Sequence, residues 1–541
     1  MDHAKPSLAA RRLAVLVALI VVLIAACGSG LSRADEAVLV LANRDDDDRD
    51  GLPDADDEQV NGEADVRDLA RLQVPLAPGT TSVRVDAAAA PLRFFARSGE
   101  AWRHVGLGGG ELPVDDSPEA GPLEIFVEAC RWTGQPANWS GAAVVRVSCV
   151  GPRDAVEEQR WTVRVAPIRL LPATAAVAEV YVATGRYDNA VFVERLQSLL
   201  QGLHVPLRDH ATGDWREMWM QDTMEIGIAA TDRATMSVVL AGLRGADTFP
   251  PTLLGPDVAV AEVAKPRGLA GGDAWADWYG NLEASPATAA HPQGRVIHGR
   301  NRLTGCSFHP DVVAFLAAQG SQPPVWIDTS WLLIKHVDEI VTFLPGKDGA
   351  GVILVPDPEA GLALLADERG DDAVARRRRE AASRINREIE AMLFGGATPT
   401  RAGVSGETAA AGLLELLGLE GDHEQGRDQR RDRGQQSGRV IRLPVAFDVP
   451  DTGLLADGGV TDASSLWSNP VNALFVNGTV ICGTSGMPAA CREICRERFL
   501  AAGATAVEFI DDGCYQKNHG NVHCATNARR GAAKDAGSTR D

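Results

Sequence analysis

The sequence has no apolar run long enough to cross a bilayer comfortably. The most apolar stretch, Leu13–Ala26, has 14 residues, against the ~20 that a spanning helix needs. It has no CxxC pair, which argues against a structural zinc site, and no short repeat of solenoid type. Positive charge is in deficit. Lys and Arg number 53 against 73 Asp and Glu, a net charge of −20. Such a surface repels phosphates and argues against a nucleic-acid partner; it suits a cationic substrate or divalent cations. What remains is ordinary. Of the 541 residues 45% are hydrophobic and 23% charged, the composition of a globular chain and not of a disordered or polytopic one.

The N-terminus reads as an address. Lys5, Arg11 and Arg12 precede the apolar run, which ends in small residues before Cys27. This is the layout of a signal peptide over residues 1–27, and its end resembles a bacterial lipobox. That resemblance implies cleavage before Cys27, lipid on its sulfur, and an exported protein of the cell envelope or the medium. Export permits disulfides. Of nine cysteines, Cys130 and Cys149 flank one β-rich stretch and are expected to be able to pair.

From Asp46, carboxylates fall at relative positions 1, 3, 5, 9 and 12 (Asp46, Asp48, Asp50, Asp54 and Asp57), with Gly51 at position 6. This is the spacing of an EF-hand-type calcium loop, hard oxygens around a sharp turn. The last ligand is Asp where Glu is usual, and no flanking helices are evident. Residues 66–170 hold short apolar runs punctuated by Gly and Pro, so that 36–170 reads as a small all-β, immunoglobulin-like domain carrying the loop. From 175 to 531 strand-like and helix-like runs alternate, an α/β region; 532–541 is a tail. VFVERLQSLLQGL and AVARRRREAASRINREIEAMLFG are the clearest helices. Arg376–Arg379 reads as a solvated helix face, and 421–439 as a polar loop.

Three islands in the α/β region carry chemistry. In WMQDTMEIG, read as a strand, Gln221, Thr223 and Glu225 share one face and Asp222 takes the other. In WLLIKHVDEI, His336 and Asp338 share a face at strand spacing. In NHGNVHCATN, Cys524 is a candidate nucleophile. An extended segment turns His523 away from it, so His336 is the expected base.

Together these islands, with WYGNLEASP and NPVNALFVNG, resemble the catalytic domain of the protein-arginine deiminases in order and rough spacing, over about 180–530. The resemblance implies a five-bladed α/β propeller, the pentein fold. It also implies calcium-dependent hydrolysis of arginine side chains in proteins or peptides to citrulline. Asp222 and Asp338 would hold the guanidinium, Trp219 would stack on it, Cys524 would attack its carbon, and His336 would move protons. Gln221, Glu225 and Glu283, with the carbonyls of Tyr279 and Leu282, would bind one calcium ion. A second family calcium site does not carry over, because Thr223 stands where an acid is expected. Arg244 matches an arginine that grips substrate backbone. Rival readings are a pentein deiminase or amidinotransferase acting on free arginine or a small guanidine, and a non-catalytic, calcium-stabilised surface binding protein. The β-domain favours the protein substrate, and the thiol favours an enzyme.

Overall fold

A computed structural model describes residues 37–98, 101–114, 122–151, 156–244, 247–349, 351–365, 372–395, 411–419 and 439–531. The signal peptide, Cys27, the tail 532–541 and nearly all of the polar stretch 421–439 lie outside the described residues. The structure divides into two compact units. One comprises Ala70–Val127, Ala142–Arg164 and the described residues up to Val40; the other comprises Leu41–Leu69, Glu128–Gly141 and the chain from Val165. The acidic stretch, within Leu41–Leu69, thus groups with the chain from Val165.

The first unit is built from two sheets. One has five strands in the order Val38–Val40, Val156–Val165, Ala142–Val150, Ser82–Asp86 and Gly109–Pro113. The other has four, in the order Ala70–Val74, Leu123–Ala129, Leu92–Ser98 and Ala101–Leu107. The sequence sets the faces by simple alternation. In Ala70–Val74, Ala70, Leu72 and Val74 are buried while Arg71 and Gln73 are exposed, the period of two of a strand with one wet face. Each fully buried Val or Phe of this core, such as Val83, Phe94 and Val145, contributes on the order of 1.5–3 kcal/mol relative to exposure.

The second unit repeats one motif five times: a first strand antiparallel to a second, which is parallel to a third. The five sets are Thr526–Gly531 on Ala176–Thr184 and Leu207–Ala211; Met224–Ala230 on Thr235–Ala241 and Val258–Ala261; Leu282–Ala284 on Val296–Arg300 and Val325–Asp328; Thr342–Leu344 on Val352–Asp357 and Val440–Pro444; and Leu474–Val476 on Thr479–Gly483 and Ala506–Ile510. A parallel pair needs a crossover. Four of the five crossovers carry a helix: Ala190–Gly202, Pro310–Ala318, Ala373–Phe394 and Ala489–Ala501. The first and third cover the two clearest helices of the sequence. Ala190–Gly202 buries Phe192, Leu196 and Leu200, an i, i+4, i+8 stripe. Ala373–Phe394 starts on Asp372, whose side chain accepts from the backbone N–H of Val374 and Ala375, and so satisfies two orphan donors of the first turn. Its arginines are less free than a solvated face implies, since Arg377 and Arg378 pair with Asp451 and Asp448.

The first strand of each set is preceded by a turn that points into the centre of the unit. Four of these are one-turn helices: Met220–Thr223, Tyr279–Asn281, Val337–Glu339 and Val522–Ala525. They touch in that order, with Val522–Ala525 against Met220–Thr223. The fifth turn closes the circuit through Asn472, whose amide nitrogen donates to the Asp338 carbonyl at 3.4 Å while its carbonyl accepts from the His523 N–H at 3.1 Å. Cys130 and Cys149, which the sequence left able to pair, are not joined to each other by a disulfide.

Candidate active site and metal-binding residues

The one-turn helices correct the strand reading of all three islands. Gln221 lies on the one-turn helix Met220–Thr223 and Glu225 in the strand that follows it, and the Gln221 amide donates to Glu225 Oε2 at 3.0 Å. The strand begins only at Met224. His336 precedes the turn Val337–Glu339, so His336 and Asp338 part company. His336 goes to Asp222, with Nδ1 3.6 Å from Oδ1. Asp338 goes to the thiol: its Oδ2 accepts from Cys524 Sγ at 3.4 Å and from His523 Nδ1 at 2.9 Å. His523 was expected to face away from Cys524. The helical turn Val522–Ala525 instead brings both side chains to the same oxygen. No sequence signal separates that outcome from an extended segment; the Asn472 clamp decides it, with Cys524 N donating to Asn472 Oδ1 at 3.1 Å and the amide nitrogen reaching Sγ at 3.1 Å.

Asp222, His336, Asp338 and Cys524 are all at most 3% exposed. His336 Nε2 lies 3.0 Å from the Trp275 carbonyl. A carbonyl only accepts, so Nε2 carries a proton there and Nδ1 is the nitrogen left for proton exchange. Close approach of the pieces requires Gly280. A Cβ there would meet His336 Nδ1 at 2.6 Å and Asp222 Oδ1 at 2.8 Å, and the Gly280 N–H itself donates to Asp222 Oδ1 at 3.0 Å. Trp219 is buried beside Tyr187 and Tyr515, with ring centroids 5.8 and 5.6 Å apart. Arg244, expected to grip substrate, is instead turned inward and paired with Asp247.

Three buried atoms of this centre have no hydrogen-bond partner: His336 Nδ1, Asp338 Oδ1 and Glu339 Oε1. Unpaired buried polar atoms are costly. All three accept, which calls for a ligand rich in donors. Burial raises the Asp222 carboxyl, and His336 and Arg244 oppose the rise. Burial, then Asp338, Glu339 and Asp222, push the Cys524 thiol well above its usual range. For His523 burial acts downward, but the bond and charge of Asp338, then Glu283, outweigh it and the ring is raised.

Behind Asp222 lies a polar cavity lined by Gln221, Glu225, Leu282, Glu283, His523 and Arg530, among others. Tyr279, expected to lend a carbonyl, is buried but does not line it. Burial and then Glu283 raise Glu225 to about 8. Burial also raises Glu283 to about 7, with His523 opposing. Two buried carboxylates that resist ionisation together fit a hard cation with oxygen ligands.

The acidic stretch holds two groups, not one. Asp46, Asp48 and Asp50 converge as the spacing predicts. Asp46 accepts from the N–H of Asp50 and Gly51, both at 3.0 Å, and Gly51 turns at φ +91°. Asp54 and Asp57 leave that set: Asp54 Oδ2 accepts from Asp47 N at 3.1 Å, and Asp57 pairs with Asn61 at 2.9 Å. The residues missed are those of the odd register. Asp45, Asp47 and Asp68 bring carboxylate oxygens within 4.8 Å of one another, and the Asp257 N–H donates to Asp45 at 2.9 Å. Asn43 and Asp45 are fully buried, and Asn43 Oδ1, Asp45 Oδ1 and both Asp47 oxygens lack partners. Burial, then neighbouring carboxylates, raise Asp45 and Asp68 to about 8. Asp54 also reaches about 8, through burial first.

Residues 155–393 match the family model of the protein-arginine deiminases, a stretch that includes Asp222, His336 and Asp338 and ends before Cys524. Human protein-arginine deiminase type-3 is 35% identical over 219 residues, which cover 38% of this chain and 32% of that protein. Human protein-arginine deiminase type-4 is 26% identical over 439 residues, covering 75% of this chain and 61% of that one. The chain thus spans less than two thirds of the length of either. Among solved structures, a putative peptidyl-arginine deiminase superposes with a TM-score of 0.39 at 12% identity, covering 68% of this chain and 99% of that chain. An agmatine deiminase of C. jejuni does so with 0.37 at 10%, covering 68% and 96%. The chain is thus similar to the protein-arginine deiminases over part of its length.

The carboxylates buried in and beside the acidic stretch generate a test of stability. In the folded protein Asp45, Asp54 and Asp68 hold their protons to about pH 8, whereas an unfolded Asp loses its proton near ~3.9. Between those values the folded state binds more protons, so stability falls as pH rises. In a divalent-free buffer the melting temperature should drop from pH 5 to pH 8, and Asp45→Asn with Asp68→Asn should flatten the slope. A melt that rises over this range in the unaltered protein would contradict the assignment.

Proposed function

We propose that this protein hydrolyses the guanidinium of arginine side chains in proteins or peptides to citrulline and ammonia, and that it requires calcium. The observation that carries the proposal is the set of buried, unpartnered acceptors around Cys524. A guanidinium is planar, cationic and offers five N–H donors in a fixed fork. Asp222 and Asp338 bind it by charge-assisted hydrogen bonds. Its charge offsets the carboxylates of Asp338, Glu339 and Asp222, which with burial hold the Cys524 thiol up, so substrate binding itself favours the thiolate, and the proton that leaves sulfur is taken up at the unpartnered Nδ1 of His336. The thiolate attacks the central carbon. An S–C bond forms and the C=N electron pair moves to nitrogen. His336 delivers a proton from Nδ1 to the departing nitrogen, and the C–N bond breaks to release ammonia. His336 then takes a proton from water, the oxygen attacks the same carbon, and the C–S bond breaks to leave the ureido group and the free thiol. Guanidinium and water go in, urea and ammonium come out, and no redox partner is needed.

Calcium fits two places. The cavity of Gln221, Glu225 and Glu283 adjoins the helical turn that carries Asp222, and an ion there orders that turn. The site of Asp45, Asp47 and Asp68 stabilises the unit through binding energy that only the folded state gains. The five repeated strand sets are read as the five blades of a pentein propeller, and the two-sheet unit as immunoglobulin-like. The N-terminus is read as a lipoprotein signal. Calcium is plentiful outside the cytoplasm, which suits an enzyme that uses it as a standing cofactor.

Purified protein given an arginine peptide should form ureido product with calcium and lose it in excess chelator. Cys524→Ser and Asp338→Asn should each remove nearly all turnover, since a serine hydroxyl is a far poorer nucleophile and Asn lacks the charge that holds the guanidinium. Turnover at the unaltered rate by Cys524→Ser would overturn the mechanism; full activity in chelator would overturn the calcium requirement. In the native host, mass spectrometry of the mature N-terminus should find lipid on Cys27. An unmodified Cys27 in the membrane fraction would contradict that reading.

A further inference from the structure

The segment that carries Trp219 and Asp222 hangs on one buried ion pair. Arg244 lies three residues beyond the strand Thr235–Ala241. Its side chain is 1% exposed and that of Asp247 4%. Arg244 Nε donates to Asp247 Oδ1 at 2.9 Å, and a terminal nitrogen donates to the same oxygen. That terminal nitrogen also donates to Thr223 Oγ1 at 2.6 Å, and the other one donates to the Arg216 carbonyl. Both ends of residues 216–223 are therefore fixed to a single guanidinium. The Thr223 hydroxyl passes the connection inward by donating to the Trp219 carbonyl at 3.0 Å. Arg244 also lies 5.3 Å from the ring centroid of Trp278, and that ring lies 6.2 Å from His336. The fold makes room for the pair with a glycine, because a Cβ on Gly242 would run into the Asp247 carboxylate and the Thr223 carbonyl.

We propose that the Arg244–Asp247 pair is a positioning device that sets Asp222 and Trp219 against the substrate guanidinium, and that Arg244 does not itself grip the substrate. The inference rests on the deiminase reading above. A flexible or solvated arginine would suit a gripping role. This one has its donors committed to a carboxylate, a hydroxyl and a carbonyl, all inside the protein. A paired buried cation also fixes geometry strongly, since removing either partner strands the other charge. Thr223, which stands where the family would place an acid, is here an acceptor for a cation that the chain supplies for itself.

Steady-state kinetics on an arginine peptide in saturating calcium test this. A gripping arginine predicts that Arg244→Gln raises KM with kcat intact, and that Asp247→Asn does little. A positioning pair predicts that both variants lower kcat, on the order of 10²-fold for a displacement near 1 Å. It also predicts that the double variant is no worse than either single one, and that Arg244→Lys recovers part of the loss. Thr223→Val keeps the ion pair and cuts only its link to the catalytic turn. It should lower kcat as well, with a melt close to that of the unaltered protein, and it keeps the question open to measurement if the charge variants fail to fold. Unchanged kcat in Thr223→Val, or a KM-only effect of Arg244→Gln, would overturn the proposal while leaving the deiminase reading standing. An unaltered protein without turnover would overturn both.

Discussion

The constraint on which the rest of the structure depends is the burial of like charges. Asp222, Asp338, Glu339 and Glu283 are buried inside the second unit, with Glu225 half-buried beside Gln221. Ionised carboxylates so placed repel one another in a poor dielectric, and burial raises Asp222, Glu339, Glu225 and Glu283. The chain supplies part of the compensating charge. His336 sits by Asp222, His523 bridges Asp338 and Glu283, and Arg244 lies within reach of Asp222's field. On the proposed reading the remainder falls to cations from outside, a guanidinium at Asp338 and a metal ion at Glu225 and Glu283. Binding and chemistry thus draw on one electrostatic deficit.

The repeated strand set explains how such a centre is held. In four of the five sets the turn before the first strand is only one helical turn long. A longer element would carry its side chains away from the middle. One-turn helices let Asp222, Gly280, Asp338, Asn472 and Cys524, drawn from residues up to 302 apart in sequence, meet within a few ångströms. Small residues permit the closest approaches, as Gly280 does between His336 and Asp222.

Much of this was legible in the sequence. The alternation in Ala70–Val74, the apolar stripe of Ala190–Gly202 and the alternating strands and helices after 175 follow from local periodicity. The islands around Asp222, Asp338 and Cys524 were legible as motifs. Their conformation was not, because Met220–Thr223 and Val522–Ala525 are too short for any periodicity to distinguish a turn from a strand. Gln221 on the first turn meets Glu225 in the strand that follows, and His523 on the second joins Cys524 at Asp338. In the acidic run every second residue fits a ligand register, so the sequence favoured Asp46, Asp48 and Asp50. Only tertiary contact brings Asp68 and Asp257 to Asp45 and Asp47. The inward turn of Arg244 was likewise invisible, since its partners Arg216 and Thr223 come from a separate segment.

The account stands on Cys524 as the atom that attacks carbon. The most direct measurement is rapid acid quench of the unaltered protein turning over an arginine peptide in calcium, followed by peptide mass spectrometry of the region around Cys524. His336 serves both halves of the reaction, so the adduct is sought in the unaltered protein during turnover. The peptide bearing Cys524 should then carry the mass of the covalent thiouronium adduct, absent from Cys524→Ser. Product formation with no adduct on Cys524 at any quench time would contradict the account.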